Sequence, residues 1–176
     1  IKGHVGYYCG GMNQKANICI EGNAGTGLGE NMMSGIIHVK GNTSQSAGAT
    51  AHGGTIIIDG DASSRCGISM KGVDIIVKGS VGHMSAFMAQ AGTLMICGDA
   101  GDALGDSIYE TVIYMAGKPK SLGVDCIEKK ITKKDLKKIE NLIKTGNVKK
   151  LKPHNFKKFG SARKLYNFNI DNVSEY

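Results

Sequence analysis

The stretch Thr55-Ile56-Ile57-Ile58-Asp59-Gly60 returns nineteen residues later as Asp74-Ile75-Ile76-Val77-Lys78-Gly79. The closing glycine keeps this interval at Gly3, Gly22, Gly41, Gly60, Gly79, Gly98 and Gly117. Two positions of each run stay apolar and lie two residues apart, so they share one face of a strand. These columns are Ile18, Ile37, Ile56, Ile75, Leu94 and Ile113, and Ile20, Val39, Ile58, Val77, Ile96 and Met115. A fixed period of this kind predicts a solenoid in which each coil buries its apolar face against the next.

A second set of small residues follows seven positions after each repeat glycine. Its members are Gly10, Gly29, Gly48, Gly67, Ala86 and Gly105. Glycine tolerates a positive φ, so this column marks a corner of the coil. The period leaves no room for crossover helices and is not a multiple of six, as a left-handed hexapeptide helix requires, and parallel connections are usually right-handed. The sequence therefore predicts an all-β fold, a right-handed parallel β-helix of about seven 19-residue coils between Gly3 and Gly117.

The C-terminal part of the chain differs in charge from the body. Residues 1–117 contain six Lys or Arg and nine Asp or Glu, a net charge of −3. Residues 118–176 contain sixteen and six, a net charge of +10. The basicity therefore belongs to the tail. We divide the chain into a parallel β-helix over 1–131 and a basic helical cap and tail over 132–176.

A helix is predicted in this tail, with Thr132 as N-cap and Gly146 as the C′ residue. Its apolar stripe consists of Leu136, Ile139, Leu142 and Ile143. Exposed strand edges invite pairing with other chains, so we expect the helix to cover the last coil. No such cover precedes the first coil, and the sequence starts at Ile1 without Met, so we expect further chain or a partner at that end.

The cysteines indicate a reducing compartment. Their number is odd and no C-x-x-C pair occurs, which argues against a disulfide framework. They are Cys9, Cys19, Cys66, Cys97 and Cys126. The sequence has no run of ~18 consecutive apolar residues, so we expect no membrane span. We therefore expect a cytoplasmic protein without membrane association, whose thiols are reduced and bind no metal.

No residue pattern predicts catalysis, cofactor binding or a metal site. Cys9 and Cys66 share a phase of the repeat but lie about 14 Å apart, too far for a disulfide or a shared metal. The stretch 25–30 resembles a phosphate-binding loop, but neither a helix nor a Lys-Ser/Thr pair follows it. The histidines at different phases are His38, His52 and His83, and the acids that ring one corner are Asp99, Asp102 and Asp106. A polysaccharide-cleaving β-helix needs an acidic cluster with a basic partner on one face. The other acids of the body are scattered, and its one Arg is Arg65.

The Lys-rich tail raises the alternative of nucleic-acid binding through phosphate charge. Its lysines, however, alternate with the apolar stripe of a helix, as on any solvated helix face. The aromatic residues Tyr166, Phe168 and Tyr176 have no stacking context in the sequence. We therefore expect no nucleic-acid partner.

The stretch 82–92 is the most unusual part of the body. It breaks the glycine column at Ala86 and carries Met and Phe at phases that can point outward. The segments Met32-Met33 and Ser69-Met70 lie at neighbouring phases. Met packs adaptably in cores, and interface centres favour Met and Phe, so core packing and partner contact both remain open here. The candidate partner interface consists of Met84, Phe87 and Met88.

Several motifs closely resemble the GXGXG domain of the glutamate synthase large subunit, above all its stand-alone form, which also occurs in N-methylglutamate synthase. They are Gly6-Tyr7-Tyr8, Gly22-Asn23-Ala24-Gly25, Glu30-Asn31-Met32-Met33-Ser34-Gly35, Gln45-Ser46-Ala47-Gly48-Ala49-Thr50, the stretches 64–72 and 105–110, and Phe159-Gly160-Ser161-Ala162-Arg163-Lys164-Leu165-Tyr166. The resemblance covers nearly the whole chain. A weaker likeness exists to the formylmethanofuran dehydrogenase component that shares the GXGXG repeats.

The resemblance implies a right-handed β-helix without catalytic residues of its own. In that family the chemistry belongs to a glutamine amidotransferase subunit and an FMN-dependent synthase subunit, and FMN and an iron–sulfur cluster are expected on those partners. The expected function is a non-catalytic scaffold that holds both in register for nitrogen transfer. A homo-oligomer is compatible with the sequence, and ammonia and methylamine both remain open as the acceptor. The alternatives are a β-helix subunit of a formylmethanofuran dehydrogenase-like complex and a free-standing β-helix enzyme.

Overall fold

The computed structural model describes residues 1–164, so Leu165, Tyr166, Phe168 and Tyr176 lie outside the described residues. The elements in chain order are β1 (Asn17–Ile20), β2 (Ile36–Val39), β3 (Thr55–Ile58), β4 (Lys71–Val77), β5 (Ala91–Ile96), β6 (Val112–Met115), β7 (Cys126–Lys129), α1 (Lys133–Gly146), a 3₁₀ turn (Pro153–Asn155) and β8 (Lys157–Ser161). All strands belong to one sheet, in the order β1-β2-β3-β4-β5-β6-β8-β7. The chain is mostly β, a parallel solenoid with one C-terminal α-helix.

The first six strands stack in parallel at the predicted interval. Ile37 pairs with Ile56, and Ile56 pairs with Ile75, as the repeat requires. Single parallel bridges form a second column on another side of the coil, from Val5 and Ala24 through to Pro119. The predicted count of seven coils is wrong, because the solenoid has about 5 turns. No strand of the sheet described over 1–164 precedes β1, and after β6 the chain pairs antiparallel through β8.

The predicted apolar columns form the interior. From β2 onward their side chains are fully buried, and Leu28, Met32 and Met70 fill the space between the sheet and the opposite corner. Each coil thus packs its branched aliphatic side chains on those of the next coil, which excludes water from the axis of the rod.

The corner opposite the sheet contains three stacked columns of residues with positive φ. The predicted column includes Gly48 (φ 70) and also Ala86 (φ 58). At Gly48 an added β-carbon would lie 2.5 Å from Ile75 Cδ1, so a larger residue there would have to displace this side chain in addition to adopting a positive φ. The two flanking columns are mostly not glycine: Tyr8, Gly27, Ser46, Arg65, Met84 and Ala103, and Met12, Asn31, Thr50, Ser69, Met88 and Ser107. L-residues adopt this conformation at a cost, so it persists here because neighbouring coils fix it.

A polar ladder explains the unbroken period of the repeat glycine. The side-chain oxygen of Asn23 accepts from the backbone N–H of Asn42 at 2.8 Å, and Asn42 does the same for Asp61. The ladder continues through Asp61, Ser80 and Asp99 to Lys118. At Gly60 a β-carbon would run into Asn42 Oδ1, so a larger residue would break the ladder.

Helix α1 lies on the outer face of the sheet, which corrects the prediction that it covers the last coil. Its buried residues Ile139 and Leu142 belong to a second apolar cluster. The strand residues in that cluster are Ile57, Ile76, Met95 and Tyr114, which face outward from β3 to β6. Leu136, predicted in the buried stripe, is 39% exposed. The helix packs here because these strands offer it a continuous apolar surface.

The ends of α1 agree only in part with the sequence. Thr132 is the N-cap, and its side chain forms a capping box with Asp135. Gly146, predicted at C′, is the last helical residue, and Asn147 follows in the left-handed conformation (φ 52). An added β-carbon at Gly146 would lie 2.9 Å from Ile76 Cγ2, so this glycine allows close approach of the helix to the sheet.

Strand β8 occupies the edge of β6 that we expected the helix to cover. Phe159 of β8 pairs with Ile113 of β6 on one side and with Glu128 of β7 on the other. The basic tail therefore extends the sheet of the solenoid. The division at 131/132 stays a prediction.

Candidate partner interface

The three predicted interface residues lie together on the corner opposite the sheet, where the columns of positive φ are stacked. Met88 is 40% exposed, whereas Met84 and Phe87 are half-buried. Met32 and Met70, at neighbouring phases, are fully buried, while Met33 is exposed. The corner therefore presents part of its apolar side chains to solvent and does not use all of them as core.

The backbone under this patch is fixed by both neighbouring coils. The N–H groups of Met84 and Met88 donate to the carbonyls of Asp102 and Asp106 in the next coil. The carbonyl of Phe87 accepts from Ser69 in the preceding coil. Such preorganisation lowers the entropy lost when a surface binds a partner.

A polar cluster occupies the outer face of the sheet beside the helix. Asp59 pairs with His38 at 2.8 Å and with Lys78 at 2.7 Å, and Lys40 lies 3.8 Å from its other oxygen. Partial burial alone would raise the pKa of the Asp59 carboxyl, but the hydrogen bonds and charges of Lys78 and His38 outweigh it and lower that pKa. The negative charge of Asp59 is therefore balanced by its neighbours, and the cluster has a structural role on a half-exposed surface.

Four of the five cysteines are poor nucleophiles at neutral pH. Burial raises the pKa of Cys66 to about 12, of Cys126 to about 12 and of Cys97 to about 11. It also raises the pKa of Cys9. A thiol must lose its proton to attack a substrate or bind a metal, so these four are unsuited to either role. Among residues 1–164, no group of three or more His, Cys, Asp or Glu could hold a metal ion.

The other motifs weighed in the sequence have structural roles. Gly27 and Gly29 are left-handed corner residues, and at Gly25 a β-carbon would lie 2.8 Å from the backbone of Gly6. Asp102 pairs with Lys120 at 2.8 Å, and Asp106 accepts from the N–H of Val124. The glycine-rich loop and the corner acids thus connect successive coils.

One curated relative decides the family. The chain is 58% identical over all 176 residues to Protein GlxC of Rhizobium meliloti (strain 1021), and it covers 77% of that protein. The chain belongs to the GlxC family. No family model matches it.

In this GlxC-family chain, the sequence did not predict the left-handed backbone conformation at Met84 and Met88. Met84 and Met88 adopt φ values of 53 and 49. A methionine does not by itself predict this conformation. The available clue was the glycine column, whose member between Met84 and Met88 is Ala86. No helix described over 1–164 is both long and apolar enough to cross a membrane.

Proposed function

We propose that this GlxC-family chain is a non-catalytic scaffold subunit of a glutamate synthase-like complex. In this proposal it holds a glutamine amidotransferase subunit and an FMN-dependent synthase subunit in register, and FMN and the iron–sulfur cluster belong to those partners. The proposed location of the complex is the cytoplasm, in keeping with five unpaired thiols among the described residues.

The observation that carries the proposal is where the family-like motifs lie. The segments 45–50 and 64–72 build the stacked corner through Gly48 and Gly67, and Gly25 lies against the backbone of Gly6 in the preceding coil. Their residues serve hydrogen bonds between coils and close approaches of the backbone. Because the residues of these motifs hold successive coils together, they support a role of the rod in spacing other subunits.

The corner formed by Met84, Phe87 and Met88 is the proposed partner surface. It combines partly exposed apolar side chains with a fixed backbone, which are features of well-packed interface centres. The acidic body and the basic tail would orient partners of complementary charge during docking.

Reconstitution from separate subunits tests the proposal. The purified chain is mixed with its cognate amidotransferase and FMN-dependent synthase subunits, and glutamine-dependent synthase activity is measured with and without it. We expect the chain alone to turn over no glutamine, and the coupled activity to require it. Full coupling of the two catalytic subunits in its absence would refute the scaffold role.

Two variants test the corner. Met88→Asp places a carboxylate at a position whose positive φ suits Asp better than Met, so the fold should tolerate it while assembly weakens. Phe87→Asp should weaken assembly further. Leu136→Asp, on the outward side of α1, is the matched control and should assemble normally. Equal assembly of Met88→Asp and Leu136→Asp would move the interface away from this corner.

A further inference from the structure

An open groove lies where β7, the start of α1 and β8 meet. Its volume is about 500 Å³, within the ~300–1,000 Å³ of protein ligand sites. Four lysines line it: Lys129 at the end of β7, the adjacent Lys130, and Lys157 and Lys158 at the start of β8. The groove therefore has positive charge on both of its sides.

The acids at the groove are already paired. Glu128, which lines the groove, contacts Lys157 at 3.1 Å, and Asp135 contacts Lys158 at 2.9 Å. Residues 128–137 contain five lysines and only these two acids. None of those five lysines forms an ion pair within residues 1–164. Their positive charges are therefore uncompensated along this side of the chain.

Two of these lysines occupy positions that a helix disfavours. Lys133 and Lys134 are the first two residues of α1, next to the positive end of its dipole, where acidic residues are normally stabilising. Thr132 and Asp135 already cap the backbone of this helix end, so the two lysines add charge without serving the helix. Residues that break a local rule of stability in this way are expected at functional surfaces.

The lining of the groove favours a peptide over a nucleic acid. Ile131 contributes apolar surface, which suits the aliphatic part of an acidic side chain. Proteins that bind single-stranded nucleic acids stack bases on exposed aromatic rings. The aromatic residue described at this groove, Phe156, is 3% exposed and so offers no ring face to a base. No arginine, the usual residue for bidentate phosphate recognition, lines the groove among residues 1–164.

We propose that this groove is a docking site for an acidic, extended segment of a partner protein. Carboxylates of the segment contact Lys129, Lys130 and Lys157, and the lysines at the start of α1 attract the segment at longer range. Lys157 exchanges Glu128 for a carboxylate of the partner, because both side chains of that pair are more than half exposed and exposed ion pairs are weak. This inference goes beyond the scaffold function, since binding of a peptide by the purified chain does not depend on it.

The test compares oligoglutamate with oligoglutamine, an uncharged peptide of the same length. Each fluorescein-labelled peptide is titrated with the full chain at an ionic strength of about 0.15 M, and binding is followed by fluorescence anisotropy. We expect saturable binding of oligoglutamate, weakened by added salt, and none of oligoglutamine. Equal binding of the two peptides, or no saturable binding, would overturn the proposal. Tighter binding of an oligothymidylate with the same number of charges, or of phosphatidylserine vesicles, would also overturn it, because the groove would then serve a nucleic acid or a membrane.

A charge-matched pair of variants locates the site. Lys129→Gln combined with Lys130→Gln should weaken oligoglutamate binding about tenfold, because two charged contacts are lost. Lys149→Gln combined with Lys150→Gln removes the same charge from the same tail, but neither lysine lines the groove. The affinity of this control should stay within about twofold of the unmodified chain. Equal losses in the two double variants would show diffuse attraction by the basic tail and overturn the assignment to the groove.

Lys133→Glu separates binding from stability. It places an acid in the first turn of α1, four residues before Lys137, so it should raise the melting temperature. The same change should weaken oligoglutamate binding, because it replaces an attractive charge by a repulsive one. A higher melting temperature with unchanged affinity would overturn the role assigned to the start of α1, and a lower melting temperature would contradict the statement that this lysine does not serve the helix.

Discussion

Three consecutive isoleucines show how position along a coil decides whether a side chain lies inside the rod or on its outer face. Ile56 and Ile58 point into the rod, whereas Ile57 points outward and is 5% exposed because α1 covers it. The same outward position is exposed at Cys19 and half-buried at His38. The outward column thus changes from polar to apolar at the coil where the helix begins to cover it.

At this position Ile57→Asp should destabilise the chain by at least about 3 kcal/mol. The substitution removes packing beneath α1 and buries a carboxylate without a partner. A loss of that size is a large part of the ~5–15 kcal/mol typical of a domain. The measurement is urea unfolding followed by circular dichroism. Cys19→Asp, at the same phase on the uncovered face, is the control, and an Ile57→Asp midpoint close to that of Cys19→Asp would contradict the burial described here.

The inner columns were predictable at the residue scale because alternation along a strand depends on local sequence. The left-handed columns were predictable only where glycine marks them. Arg65 and Met84 adopt the same conformation because of hydrogen bonds to the next coil, at His83 and Asp102. Hydrogen bonds to residues eighteen positions later in the chain override the local preference of these side chains.

Among the elements, α1 shows the limit of pattern reasoning. Its capping residue and most of its buried face followed from the sequence, but its packing partner did not. A stripe of apolar residues identifies the buried face of a helix without saying which surface covers it. The apolar outward residues Ile57, Ile76 and Met95 were the signal that could have placed it. Strand β8 was missed because it pairs antiparallel and lies outside the repeat.

Asp135 fastens α1 to the sheet and to β8. It accepts from the Tyr114 hydroxyl at 2.6 Å and from Lys158, besides capping the helix with Thr132. Burial alone would raise its pKa, yet these hydrogen bonds outweigh it and hold the pKa of Asp135 well below its usual range. Burial, together with the bond to Asp135, raises the pKa of Tyr114.

This lowered pKa predicts a pH-dependent contribution to stability. A carboxyl with a depressed folded-state pKa stabilises the fold above its unfolded value of about 4 and loses that contribution as the pH falls toward the folded value. Asp135→Asn should therefore cost about 1–3 kcal/mol near neutral pH, and the deficit should shrink below about pH 4. Urea titrations at both pH values measure this. Glu140→Gln, on the exposed side of α1, should show no such change, and a deficit for Asp135→Asn that is independent of pH would count against the linkage.

Over the whole molecule, burial is uneven along the rod. Strands β4 and β5 lie between the interior and α1, whereas β1 has exposed residues at Asn17 and Cys19. The sequence predicted a uniform stack of seven coils because the period itself carries no information about what covers each coil. The structure has about 5 turns that differ in how many of their faces are covered.

Hydrogen exchange should reveal this gradient. Opening free energies are highest where strands are covered on both faces and lowest where few apolar contacts hold a segment. We therefore expect amides of β1 to exchange well before those of β4 and β5 under native conditions, as measured by mass spectrometry. Equal protection of β1 and β4 would mean that the rod opens as one cooperative unit.

The polar ladder and the left-handed columns also restrict how the chain can change in length. Removal of a single residue would put every later side chain out of step with its neighbour in the preceding coil. Removal of the nineteen residues 37–55 would instead place Ile56 where Ile37 stood and restore every column beyond it. The rod can thus be shortened or lengthened only in whole steps of one coil, about 4.8 Å each. Two proteins attached to different coils are held apart by a whole number of such steps, so the repeat number sets the distance between them in discrete increments.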